Sequence, residues 1–430
     1  MRKPLVPLVC LIALWSAHTA AADPLIQPKD TLAICGDSIT AQHEYSAYIE
    51  DYVLMCQPKE ELDVAQFGWG GEVAGGFLSR MDTDFFPFKP TVATTCYGMN
   101  DGHYLPLAPL TADQYRTAQT AIVEEMKKKG VRSIVLGSPK CVDSYYFRRG
   151  GEPSPDVYNQ TLSSLAGIDK EIAAKEGVVY ADVFGSTMDA MKKAKAQYGD
   201  AYSFAGGDGV HPDPNGHLVM AYAFLKALGY TGNIGTITID LDHNHAEATA
   251  GQAVLACKDG SVDLESTRYP FCFSGSPDTP DPGGTASVLK CVPFNEDLNR
   301  YMLVVKGLKS DKAKVTWGGQ SKEFSAADLG RGINLAAEFV ANPFRDQFFR
   351  VHNVVQAQEH QEEVLMQAIL HMGPGYAAQF PLATDAFAQW QTSGMTLREA
   401  LFKQAAALVI PIRHTIRVEP VTTLVSAAGR

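Results

Sequence analysis

A serine, an aspartate and a histidine stand in this sequence where acyl-transfer chemistry could use them. Ser38 lies in "LAICGDSITAQ" (Leu32–Gln42), where an apolar run breaks into Gly36-Asp37-Ser38. Gly, Asp and Ser are also the residues of turns and helix caps, so the tripeptide alone marks only a turn. His211 lies in "DGVHPDPNGH", three residues after Asp208. An acyl-transfer site needs a hydroxyl nucleophile, a base that titrates near neutrality, a group that orients the base, and donors aimed at the developing oxyanion. Ser38, His211 and Asp208 supply the first three, Asp208 being near enough along a loop to fix the imidazole tautomer. No Gly-x-Ser-x-Gly occurs, which excludes the nucleophile elbow of α/β-hydrolases. Asp37, beside the serine, reads as a brace for its loop.

The elements that must position these residues can be read from periodicity. Between residue 30 and about 230, short apolar runs (Thr31–Cys35, Leu62–Phe67, Thr91–Tyr97, Ser133–Leu136, Val178–Val183) alternate with helix-like stretches. One of these is "TADQYRTAQTAIVEEMKKKG", with Thr111 as N-cap and Gly130 as C-cap; another, "EIAAKEG", ends at Gly177. Buried strands alternating with helices predict an α/β sandwich around a five-stranded parallel sheet. Ligands of such sheets bind beyond the carboxyl ends of the strands, where Ser38 falls.

Three more stretches follow strands of the same unit: "QFGWGGEVAGG" after the second, "YGMNDG" after the third and "DGVHPDPNGH" after the fifth. With "GDSIT" they resemble, in order, the four signature blocks of the SGNH, or GDSL-type, esterase and lipase superfamily. The resemblance covers roughly residues 30–230 and implies a flavodoxin-like three-layer sandwich. It also implies that the backbone N–H groups of Ser38 and Gly71 and the side-chain amide of Asn100 form the oxyanion hole. The glycine block departs from the family pattern at Gln66 and Val73, where Asn and a small polar residue are usual. Trp69, His43, Met99, Asp101 and His103 flank the blocks and are candidates to line the substrate pocket.

The rest of the chain has a different texture. Residues 231–325 alternate as a β-rich module ("TITIDL", "YMLVVKG", "KVTWGG"), in which Tyr269, Phe271 and Phe273 fit a half-buried strand. Residues 326–430 regain helical spacing, with Phe344, Phe348, Val351 and Val355 on one face. Such a face must be buried, and the catalytic domain (28–230) is the largest neighbour for this helical C-terminal region to pack on.

Residues 1–22 carry Arg2 and Lys3, an apolar stretch and a small-residue site at Ala20-Ala21-Ala22, the pattern of a signal peptide, so a secreted or periplasmic location is expected. No later run predicts an integral membrane span. With 48 acidic against 37 basic residues, the net charge of −11 disfavours nucleic acid as a partner. Seven cysteines follow the leader. Cys35 and Cys96 end apolar runs and read as buried small hydrophobes, whereas Cys257, Cys272 and Cys291 lie where a staple would help most. "DLDHNHAE" offers Asp240, Asp242, His243, His245 and Glu247, but the spacing matches no strong metal template, and the serine mechanism needs neither metal nor cofactor.

The expected function is therefore that of a serine esterase acting on a small ester, an O-acetyl group on a carbohydrate being favoured by export, an acidic surface and analogy with exported glycan deacetylases. Two alternatives stand beside it: a lipase or thioesterase acting on longer acyl chains, and a glycan-binding protein on a retired hydrolase scaffold.

Overall fold

The computed structural model describes residues 24–148 and 150–421; the leader read at 1–22 lies outside them. Five strands, β1 (Thr31–Gly36), β2 (Asp63–Gly68), β3 (Val92–Cys96), β4 (Ser133–Gly137) and β5 (Val179–Ala181), form a parallel sheet in the order β2-β1-β3-β4-β5. Because side chains alternate along a strand, each face gathers its own core. Leu32, Ile34, Val64, Val92 and Val135 pack toward α1 (Tyr45–Asp51), α5 (Val183–Tyr198) and α6 (Pro214–Ala227). Ala33, Cys35, Ala65, Phe67, Ala93 and Leu136 pack toward α2 (Ala74–Arg80), α3 (Pro109–Lys128) and α4 (Pro155–Glu176). The result is the flavodoxin-like three-layer sandwich.

Helix α3 opens one turn earlier than its sequence suggests. Pro109 takes the first helical position behind Ala108, so Thr111 lies inside the helix and is not its cap. Helix α4 ends at Gly177 in the left-handed conformation (φ 64°), as expected of a terminal glycine.

Beyond α6 come β6 (Asn233–Asp240), β7 (His245–Ala248), β8 (Gln252–Lys258), β9 (Ser261–Ser266), β10 (Arg300–Lys306), β11 (Lys312–Trp317), β12 (Gln320–Ser325), β13 (Ile333–Asn334) and β14 (Ile412–Pro420). They build a four-stranded sheet, β13-β10-β6-β7, and a five-stranded antiparallel sheet, β12-β11-β14-β9-β8. The C-terminal segment is thus not helical throughout: after its helices the chain returns as β14 between β11 and β9. "IRHTIRVEP" alternates with period two, a signal masked by the helical run before it. His414 of β14 is buried and accepts from the Trp317 indole at 3.1 Å, with Ser266 and Tyr301 hydroxyls at 2.9 and 3.2 Å. Burial pushes its imidazole down to about 4, so it is neutral at physiological pH.

Tyr269, Phe271 and Phe273 are not in a strand. They are 0–2% exposed in an irregular segment, where Phe271 and Phe273 pack on Phe294, and Phe271 also on Phe348 and Tyr48. This buried aromatic cluster offers no platform for glycan. All seven cysteines from Cys35 to Cys291 are free thiols, and only Cys257 is not buried. Among the described residues no helix is long and apolar enough to cross a membrane.

The C-terminal helices seal the β2 edge of the parallel sheet. Strand β2 has a neighbour on one side only, which leaves a row of backbone groups to satisfy. From the Arg345–Val364 helix, Glu362 accepts the Gln66 amide at 2.9 Å and Gln358 donates to the Val64 carbonyl at 3.3 Å. From the Thr384–Leu408 helix, Arg398 donates to the Val64 carbonyl, forks onto Asp63 at 2.7 and 2.8 Å, and meets Glu362 at 2.8 Å. Arg398 and Glu362 are buried, and removing one partner strands the other charge. Arg398→Met should therefore lower unfolding free energy by about 3–5 kcal/mol in chemical denaturation. Lys403→Met on the same helix removes an exposed pair with Glu399 and should change it by less than about 0.5 kcal/mol.

Candidate active site

The loops at the carboxyl ends of β1, β2 and β3 and the loop before α6 meet above the sheet. At the end of β1 the chain turns sharply: buried Asp37 accepts the Ile39 amide at 2.9 Å and its carbonyl takes the Ala41 amide at 3.1 Å, while Ser38 stays partly exposed. The 206–211 loop is as tightly made. Gly206 has φ 73°, and a Cβ there would overlap the His211 carbonyl, so only glycine fits.

Ser38, His211 and Asp208 come together. The Ser38 Oγ lies 2.8 Å from His211 Nε2, and His211 Nδ1 lies 2.7 Å from Asp208 Oδ2. The other Asp208 oxygen accepts the backbone amides of Val210 and His211 at 2.8 and 2.9 Å. Partial burial works to raise the Asp208 carboxyl, but the hydrogen bonds from the His211 ring and these amides outweigh it and hold the carboxyl below its ordinary value. An ionised carboxylate fixed in this way keeps the proton on Nδ1 and leaves Nε2 free to accept one from the serine. The His211 side chain is 39% exposed and that of Asp208 54%, so the mouth is open.

The glycine block reaches the site through a network that the sequence did not reveal. Gly71, at φ 74°, is exposed and lets the backbone turn after Trp69. Its neighbour Glu72 is buried, ion-paired with Arg80 at 2.6 Å and bound by the Tyr97 hydroxyl at 3.0 Å. The Asn100 amide donates one hydrogen to the Glu72 carbonyl at 3.0 Å, leaving the second available, while the Tyr104 hydroxyl fixes its oxygen at 3.0 Å. Asn100 thus ties the third block to the second. Gln42 is also part of the site's frame, donating to the Pro212 carbonyl at 3.1 Å and so holding the histidine loop.

The expected pocket residues divide. His103 is exposed and, with Val73, Gly75 and Asp101, lines a cavity of about 270 Å³ beside the glycine block. Met99 does not line a pocket: it is 1% exposed, and its carbonyl takes the Tyr158 hydroxyl. Asp101 is a brace, accepting the Ala74 and Gly98 amides at 2.9 and 3.0 Å; burial raises it to about 6 against those bonds. Trp69 is taken up by packing, its ring edge-on to His371 at 4.9 Å with the Arg80 guanidinium over it at 5.0 Å. His43 faces the C-terminal helix, with Glu363 at 3.4 Å, and burial and then His360 lower it to about 4. The acids and histidines of "DLDHNHAE" do not converge: His243 pairs with Asp240, His245 with Glu247 and Asp242 with Lys309.

Asp37 carries a pH signature. Burial, opposed by the Ile39 amide, raises it from 3.8 to about 7. The fold therefore favours the protonated carboxyl, and the stability this contributes is complete below pH 3.8 and lost as pH rises to about 7. Asp37→Asn keeps the acceptor and removes the titration. The stability of that variant relative to wild type should rise by up to about 1.4 kcal/mol per pH unit across this window and level off above it. Denaturant unfolding of both proteins at several pH values measures the difference.

Residues 34–219 match the GDSL-like Lipase/Acylhydrolase family. An acetylxylan esterase of Geobacillus stearothermophilus is 24% identical over 192 residues, covering 43% of this chain and 81% of that protein. The structure of a gut microbial diltiazem-metabolizing enzyme aligns with a TM-score of 0.73 at 22% identity, covering 93% of this chain and 99% of that one, so the combination of catalytic sheet, β module and helices recurs there. Residues 34–219 are accordingly a GDSL-like lipase/acylhydrolase domain, and the chain that carries it is a carboxylic ester hydrolase.

Proposed function

We propose that this esterase removes O-acetyl groups from a carbohydrate through a covalent acyl-enzyme on Ser38. The observation that carries the reading is the unbroken chain of hydrogen bonds from Asp208 through His211 to a partly exposed Ser38. His211 Nε2 takes the Ser38 proton as Oγ attacks the ester carbonyl carbon. The carbonyl oxygen, now an oxyanion, is held by the Ser38 and Gly71 amides and the free hydrogen of Asn100. Collapse of this intermediate breaks the bond to the sugar oxygen, which leaves with the proton from His211. Water then attacks the acetyl-serine, His211 takes its proton and returns it to Oγ, and acetate departs.

The substrate class is supported by two features. The open mouth admits an acetyl group on a bulky, hydrated chain, and the relative from Geobacillus stearothermophilus is an acetylxylan esterase. The leader at residues 1–22 would place such an enzyme outside the cytoplasm, where polysaccharide is met.

Two assays test the proposal. On acetylated xylo-oligosaccharides wild type should release acetate, with hydrolysis of esters of eight or more carbons at least tenfold slower; the reverse order would assign a lipase. Ser38→Ala should lose several orders of magnitude in kcat while keeping its thermal midpoint. Undiminished turnover in that variant would overturn the acyl-enzyme route.

A further inference from the structure

Three side chains outside the Ser38 site converge where the turn behind the nucleophile meets the Arg345–Val364 helix. His43 closes the Thr40–Gln42 turn in the left-handed conformation (φ 58°), its amide bonded to the Thr40 carbonyl at 3.1 Å. His360 and Glu363 lie three residues apart on one face of the helix. One ligand atom from each of the three lies within 4.8 Å of the other two, and His43 Nε2 is 3.4 Å from Glu363 Oε2. The His43 and His360 rings meet edge-on, with centroids 5.9 Å apart.

Hydrogen bonding within the protein does not account for this cluster. His43 Nε2 is shielded from solvent and has no hydrogen-bond partner, whereas nearly all buried polar atoms have one. Glu363, by contrast, is oriented. Its Oε1 accepts from Gln367 at 3.1 Å, which leaves Oε2 beside the histidine.

We infer that His43, His360 and Glu363 bind a divalent transition-metal ion of the zinc type. Some point lies within about 2.8 Å of three atoms that are at most 4.8 Å apart, so small side-chain rotations reach the roughly 2.0–2.2 Å of zinc–imidazole and zinc–carboxylate bonds. Two imidazoles and a carboxylate suit zinc, and exposed His360 leaves room for a water as fourth ligand. The Gln367 contact is the outer hydrogen bond that orients a ligating carboxylate. The ion takes no part in ester cleavage. It clamps to the C-terminal helix the same turn from which Gln42 holds the His211 loop.

The test is zinc titration of the tag-free full chain after removal of metal with a chelator. Calorimetry should show one equivalent bound at micromolar or tighter affinity, saturating zinc should raise the thermal midpoint by a few degrees, and cobalt at the same site should give the visible absorption of a four- or five-coordinate ion. His360→Ala and Glu363→Gln change positions that are not buried, so both should fold while weakening binding at least tenfold and losing the thermal shift. His243→Ala/His245→Ala, which alters the other surface histidine pair, should retain both. Absence of a stoichiometric equivalent, or binding unchanged in His360→Ala, would overturn the inference.

Discussion

An open parallel sheet has two edges, and in this protein one of them, β2, is a strand that feeds the active site. The Val64 carbonyl and Gln66 amide of β2 point away from β1, and both are met by side chains that arrive about 300 residues later in the chain, from Gln358, Glu362 and Arg398. Glu362 and Arg398 are buried, so the edge cannot be uncovered without exposing charges whose partners are each other, Asp63, Gln358 and this backbone. The C-terminal half is in this sense part of the catalytic sheet's hydrogen bonding. The core agrees: one continuous cluster runs from Ile26 to Val418 and includes the α1–α6 face of the sheet, the aromatic cluster at Phe271 and the centre of the β module at Trp317.

The electrostatics of the site follow a division between frame and reactive groups. Frame carboxylates are buried and their proton affinity is raised: Asp37, to about 7, accepts the Ile39 amide of its own turn, and Asp101, to about 6, accepts the Ala74 and Gly98 amides. Asp208 is half-exposed and held ionised by His211 and two amides. Charge is therefore kept where the imidazole needs orientation and minimised where the loops need rigidity. His217, buried near the site, is pushed down to about 3 mainly by burial and then by Lys140 and His211, so it adds no positive charge to compete with His211.

Much of this was legible in the residues because it depends on short-range rules. Short apolar runs between helix-like stretches located the five strands, glycine and serine at strand ends located the turns, and Asp208 three residues before His211 is a spacing that a loop closes locally. What sequence reasoning missed depends on contacts across long separations. Nothing local shows that Gln66, which departs from the family pattern, donates its amide to the Glu359 carbonyl at 3.3 Å and accepts the Gly68 amide at 2.7 Å, linking the glycine block to the C-terminal helix. Trp69 and His43 were read as pocket residues because they neighbour the blocks, yet their partners, His371, His360 and Glu363, come from the C-terminal helices. Strand β14 was hidden because a 25-residue helix precedes it and its partners, β11 and β9, lie about 100 and 150 residues earlier.

Residues 231–421 complete the esterase by covering the β2 edge of its sheet. Expression of residues 24–230 alone tests it most directly, with solubility, circular dichroism and hydrolysis of a small acetyl ester compared against the full chain. The fragment should aggregate or lack fixed tertiary structure and lose at least a hundredfold in kcat/KM, since an exposed β2 edge and apolar face have no other cover. A soluble, cooperatively folding fragment with undiminished kcat/KM would contradict it.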